Sequence, residues 1–224
     1  MFKANKENPF QGPHQNMSIV TAGRKPAQAD AAMVLIHGRG ATADSILTLA
    51  NEFDNADQLH LVAPQASQFT WYPYSFLAPT EKNEPGLSSG LQVIFDIITS
   101  LESEGIPAHK IILLGFSQGA CLASEFVARH PAKYGGLIAL SGGLIGDVIS
   151  PENFSGSLEG TPYFVGCSDI DAHIPVERVH DSAAVMEKLG ASVLKKIYPG
   201  MGHTVNEDEI SEAKKIIDRV LSGK

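Results

Sequence analysis

The chain has 224 residues, 43% of them hydrophobic and 19% charged; this is globular usage, and it excludes a disordered or fibrous protein. A formal net charge of −8 argues against a nucleic-acid or anionic-membrane binder, since both need a basic face. Two cysteines, Cys121 and Cys167, are too few for a disulfide framework, and their apolar neighbours mark them as buried, reduced thiols.

Residues 1–16, MFKANKENPFQGPHQN, form a polar arm without the apolar centre of a secretory signal. No uncharged apolar stretch is long enough to span a membrane, so a cytoplasmic protein with no integral membrane segment is expected. MSIVTAG follows as a short edge strand, and AAMVLIHG as a buried strand. TADSILTLANEF has helical spacing and a cap at Thr42 or Asp44. LHLVAP is the next strand, ended by Pro64. The long connection over residues 65–84 carries Phe69, Trp71, Tyr72, Tyr74 and Phe76, and an ordered loop of that length is usually functional.

LSSGLQVIFDIITSLESEG reads as a helix with Leu91, Ile94, Phe95 and Ile98 on one face and Gly105 past its end. KIILLGFS is a near-continuous apolar run of the kind found in strands covered on both faces. QGACLASEFVARH is a helix stopped by Pro131. GGLIALSGG and TPYFVG are strands, VERVHDSAAVMEKLG a helix, SVLKKIY a strand and NEDEISEAKKIIDRVLSG a closing helix. Strands alternating with helices predict one α/β domain over residues 1–224, with a mostly parallel sheet sandwiched between helices.

One stretch asks for an explanation beyond folding. GFSQG, residues 115–119, sits where a strand turns into a helix and matches the G-x-S-x-G elbow. Side chains at the two glycines would collide with neighbouring backbone, and the helix beginning at the serine turns its positive dipole end toward developing negative charge. A serine needs a base, and the base a carboxylate to orient it. In this type of fold both follow the serine, the carboxylate first, each just past a strand. Among the histidines, His203 in YPGMGHTV follows the last strand, and its glycines let a loop carry it back over the sheet; His14, His60, His109, His130 and His180 fall in the arm, before strands or in helices.

The carboxylate has two candidates in GCSDIDAHIP, Asp169 and Asp171. Asp171 is favoured because Ile174 and Pro175 lead on into the next helix, which leaves Asp169 to shape the turn. The same stretch spells D-x-D-x-H, but nothing else in the chain supplies the further ligands and supporting partners of a metal site, so neither metal nor cofactor is expected. LIHGRGAT after the second strand imitates a dinucleotide fingerprint, yet the following strand ends LVAPQ without the acidic residue that fingerprint requires. It fits better as an oxyanion loop, with the backbone N–H groups of Arg39 and Gln118 converging on a carbonyl oxygen. Swaps of either side chain leave those amides in place and are expected to act mildly.

With HGRG, GFSQG, SDIDAHIP and GMGH in that order, the chain resembles the phospholipase/carboxylesterase family of α/β hydrolases, which contains the acyl-protein thioesterases. The resemblance runs from about residue 33 to the last helix. It implies an α/β-hydrolase fold with Ser117 as nucleophile, Asp171 as acid, His203 as base and the amides of Arg39 and Gln118 as oxyanion hole. Ala41 stands where the thioesterase branch has an aspartate, and CSDID replaces its H-G-D-x-D. The loop FTWYPYSFLAP looks like the bacterial esterase branch instead.

The expected reaction is two-step hydrolysis of small to medium acyl esters, lysophospholipids among them, with an acyl thioesterase as the alternative. A non-catalytic binding protein on the same scaffold is disfavoured by the presence of all three triad side chains. Residues 144–160 are too few for a separate lid, so the site should be open, bordered by the aromatic loop. Trp71, Tyr74 and Phe76 are the candidate substrate contacts, against the plainer reading that they pin the loop to the body. The expected partner is a small-molecule ester, and the sequence is compatible with a monomer or a homodimer.

Overall fold

The computed structural model describes residues 1–223. Its centre is a seven-stranded sheet formed by β1 (Ile19–Gly23), β2 (Ala31–Ile36), β3 (Leu59–Pro64), β4 (Ile111–Phe116), β5 (Gly136–Leu140), β6 (Pro162–Ser168) and β7 (Ser192–Tyr198), in the order β1-β3-β2-β4-β5-β6-β7. β1 is antiparallel to β3, and every other pairing is parallel. The alternation of side chains explains the unbroken apolar runs. Ala32, Val34 and Ile36 of β2 face one core, while Ala31, Met33 and Leu35 face a second core on the other side. The edge strands β1 and β7 are largely uncovered, and β7 carries Lys195 and Lys196, charges that discourage further strand pairing.

Five helices cover the sheet: α1 (Ala43–Leu47), α2 (Gly86–Ser103), α3 (Gln118–Arg129), α4 (Val176–Lys188) and α5 (Glu207–Ser222). α1 and α5 lie over the core that contains Met33 and Leu114, and α2, α3 and α4 over the core that contains Val34 and Leu113. The single amphipathic helix expected from Thr42 onward is instead α1 followed by a 3-10 segment, Thr48–Glu52. Thr42 is its cap: its Oγ1 accepts from the Ser45 amide at 3.1 Å, and its own amide donates to Ser45 Oγ at 3.0 Å.

The polar residues at the start of the chain lie against α2. Gln92 Oε1 accepts from the amide of Phe10 at 3.2 Å, and Ser89 Oγ accepts from the amide of His14 at 2.9 Å. His14 is buried, with Nδ1 accepting from the Ser67 amide at 3.0 Å and Nε2 donating to the Trp71 carbonyl at 2.9 Å. The connection from β5 to β6 contains only the 3-10 turn Pro151–Asn153 and builds no lid over the carboxyl ends of the strands. No helix among the described residues is long and apolar enough to cross a membrane.

Candidate active site

Ser117 sits between β4 and α3 with φ 55° and ψ −120°, a left-handed conformation costly for a residue with a side chain. The turn is this tight because strand and helix nearly touch. A Cβ on Gly115 would overlap the backbone of Gly119, and a Cβ on Gly119 would overlap the carbonyl of Ile36 in β2. Only glycine at both positions lets the serine stand at the tip with its hydroxyl free of the strand.

His203 reaches that hydroxyl from the loop after β7. Its Nδ1 donates to Asp171 Oδ2 at 2.7 Å, which leaves Nε2 as the acceptor for the Ser117 hydroxyl at 2.9 Å. The loop is held by the end of β6 and the residue after it: Gly202 N–H donates to Ser168 Oγ at 3.0 Å and Gly200 N–H to Asp169 Oδ1 at 2.8 Å. Asp169 therefore ties two loops together, while Asp171 faces the imidazole. The Phe116 ring lies 5.0 Å from the His203 ring, and the His173 ring meets it nearly edge-on at 4.8 Å.

The Asp171 side chain is wholly covered. Burial pushes its carboxyl up, but hydrogen bonds from His203 and from the amides of His173 and Ile174 outweigh burial and hold it below the usual carboxylate range. Beneath it lies the Cys167 thiol, 3.7 Å from Oδ2; burial first, and then the neighbouring carboxylate, push that thiol up to about 12, so it stays protonated. Cys121 is likewise buried and unpaired.

The hydroxyl opens into a cavity of about 490 Å³ bordered by Tyr74, Phe76, Phe116, His173 and His203. Arg39 and Gln118 border it too, and the amide of neither has an acceptor within the protein among the described residues. Gly40, next to Arg39, donates its N–H to the Phe69 carbonyl at 2.7 Å and so ties the glycine-rich loop to the aromatic one.

Trp71 does not reach the cavity. It is fully buried, its Nε1 donating to the His37 carbonyl at 2.9 Å and its ring packed between His14 and His37. The aromatic loop needs an anchor, and its largest side chain is spent there. Tyr74 is 59% exposed at the rim, and Phe76 is nearly buried in the wall.

The side chains of Arg39 and Gln118 do more than carry their amides, for both hold the aromatic loop. The Arg39 guanidinium donates to the carbonyls of Tyr72, Pro73 and Tyr74 at 2.9, 3.0 and 2.7 Å. Gln118 Oε1 accepts from the Trp71 amide at 2.9 Å, and its Nε2 donates to the Tyr72 carbonyl, also at 2.9 Å. Two residues that line the cavity thus also clamp its aromatic wall.

Sequence reasoning assigned nothing to two histidines here. His37 is buried, with Nδ1 donating to the Gly38 carbonyl at 2.8 Å and Nε2 accepting from the Ala66 amide at 3.1 Å, which fixes the start of the Arg39 loop. His173 borders the cavity; its only signal was its place in D-x-D-x-H, which drew attention to metal instead.

Residues 15–221 match the model of the phospholipase/carboxylesterase family. The chain belongs to that family. Membership makes it a hydrolase of ester bonds on an α/β-hydrolase-like fold. A crystal structure described as a phospholipase/carboxylesterase from Dyadobacter fermentans superposes with a TM-score of 0.88 at 40% identity, covering 92% of this chain and 98% of that one. Acyl-protein thioesterase 1 of Debaryomyces hansenii is 29% identical over 223 residues, covering 90% of this chain and 95% of its own. A carboxylesterase from Bacillus cereus has the same fold, with a TM-score of 0.73 at 17% identity over 92% of this chain and 95% of that one.

Proposed function

We propose that this family member is a serine carboxylesterase acting on small to medium acyl esters. Ser117 Oγ attacks the ester carbonyl carbon while its proton passes to His203 Nε2. Asp171 keeps Nδ1 protonated and stabilises the imidazolium. The carbonyl oxygen becomes an oxyanion held by the amides of Arg39 and Gln118; one such donor is typically worth about 10²–10³ in rate. Collapse of the tetrahedral intermediate breaks the bond to the alcohol, which leaves with the proton from Nε2, and an acyl group remains on Ser117. Water then attacks that acyl group, gives its proton to His203, and the acid departs as the serine recovers its hydrogen.

The observation that carries this reading is the line from Ser117 Oγ through His203 to Asp171, at 2.9 and 2.7 Å, in a cavity also lined by Arg39 and Gln118. Tyr74 at the rim and Phe76 in the wall are the substrate contacts it assigns. A volume of about 490 Å³ with no lid suits an acyl chain of modest length. Turnover of p-nitrophenyl acetate and butyrate by the protein and by Ser117→Ala is the test, together with fluorophosphonate labelling and mapping of the modified peptide. Equal turnover by the two proteins, or a label on another residue, ends the proposal.

The Debaryomyces hansenii relative favours a second reading, hydrolysis of an acyl thioester by the same residues. Matched ester and thioester substrates separate the two by their kcat/KM values.

A further inference from the structure

The wall of the cavity has an unusual charge. The chain carries 25 acidic and 17 basic side chains, yet no Asp or Glu lines the cavity among the described residues. Asp171 is wholly covered and turned to His203. The charged or titratable groups that do line it include Arg39, His173 and His203. A wall that offers the Arg39 cation and no carboxylate attracts negative charge, against the sign of the whole molecule.

His173 is built to use that field. Its amide donates to Asp171 Oδ1 at 2.8 Å, so its backbone is fixed by the same carboxylate that orients His203. Its ring is exposed, stands edge-on to the His203 ring at 4.8 Å, and has no hydrogen-bond partner within the protein among the described residues. An imidazole offers at least one N–H in either protonation state. Arg39 spends three of the five N–H groups of its cationic guanidinium on loop carbonyls.

We propose that His173, with Arg39, reads a negative charge on the alcohol portion of the substrate, so that the preferred esters carry an anionic group such as a carboxylate beyond the scissile bond. The inference rests on the esterase reading above. His203 hands its proton to the departing oxygen, so the alcohol leaves past the ring that His173 flanks. Charge recognition there acts on the leaving group and not on the acyl chain, which belongs to the aromatic wall.

The test compares 4-acetoxybenzoate with its neutral counterpart 4-acetoxybenzamide, each rate divided by its hydroxide-catalysed rate. The expected result is a higher corrected kcat/KM for the anionic ester, with the anionic-to-neutral ratio falling about tenfold in His173→Leu, the scale of one charge-assisted hydrogen bond. His173→Gln, which restores an N–H donor, recovers most of the ratio. A merely structural role for His173 lowers both rates together, so an unchanged ratio in His173→Leu overturns the proposal, as does a wild-type preference for the amide. Loss of Ser117-dependent hydrolysis of both esters by the wild-type protein overturns the esterase reading itself and this proposal with it.

Discussion

Arg39 Nη2 donates to the Tyr74 carbonyl at 2.7 Å, joining the loop after β2 to the rim of the cavity 35 residues further on. The same guanidinium carbon lies 5.9 Å from the centre of the Tyr72 ring. Arg39→Ala therefore removes three hydrogen bonds to the aromatic loop while leaving the residue's own amide in place. The expected outcome is a fall of about tenfold in kcat/KM for acetyl esters, the scale of one or two hydrogen bonds to a charged group at a partly exposed site. Arg39→Lys recovers little, because an ammonium cannot fork across adjacent carbonyls. Steady-state kinetics of the two variants check this; full activity in Arg39→Ala would show that the loop holds without the clamp.

Asp171→Asn separates the two candidate carboxylates. An amide NH2 facing His203 Nδ1 forces the wrong tautomer and takes the acceptor from Nε2, so kcat should fall by about 10³–10⁴ with little loss of stability. Asp169→Asn keeps an oxygen for the Gly200 amide and should cost less than about tenfold. Rates and thermal midpoints measured on both variants decide the matter. Similar losses at the two positions would contradict the assignment.

Phe76 and Trp71 should fail differently. Phe76→Ala enlarges the wall of the cavity and should move the preferred acyl chain toward longer esters. Trp71→Ala removes a fully buried indole and leaves the His37 carbonyl without its donor, so it should cost about 3–5 kcal/mol of stability. A series of p-nitrophenyl esters and urea unfolding curves provide the two readouts. A changed chain-length profile in a stably folded Trp71→Ala would place the indole at the substrate after all.

Gly119→Ala tests the tightness of the elbow. The new methyl would meet the carbonyls of Ile36 and His37, backbone atoms with no flexible side chain to yield, so a loss near the upper end of about 1–3 kcal/mol is expected. Urea denaturation measures it, and an unaltered midpoint would mean that β2 and α3 can separate at no cost.

His14 gives the fold a pH dependence. Burial lowers its affinity for a proton, and the Ser67 amide occupies the nitrogen that protonation would need. Below the ordinary imidazole value near 6.5 the unfolded chain takes up protons before the folded one does. Stability therefore falls as pH drops from there toward the lower folded-state value, and this contribution levels off beneath it. His37 and His130 are lowered in the same direction, again chiefly by burial. Between pH 7.5 and 5.0, by urea titration, His14→Gln should lose less stability than the wild-type chain; equal losses would remove His14 from the account.

Much of this architecture was legible along the chain because it is written locally. Apolar runs such as IILLGF, short and bounded by turn residues, read as strands buried on both faces, and the two glycines around Ser117 are demanded by a strand and helix in near contact. Motif order pointed to Ser117 and His203, and the Ile174–Pro175 continuation favoured Asp171 over Asp169; the three lie in one hydrogen-bonded line. The aromatic loop was not legible in the same way. Its composition announced a wall of the site but could not say which ring faces inward, since that depends on partners as distant in sequence as His14, His37 and Gln118. The side-chain roles of Arg39 and Gln118, and the exposure of His173 beside His203, were equally hidden. Local sequence determines periodicity, turns and the residue types that chemistry needs. Only the folded chain decides which buried polar groups meet, because each must find a partner once water is gone, and those partners come from segments the sequence keeps far apart.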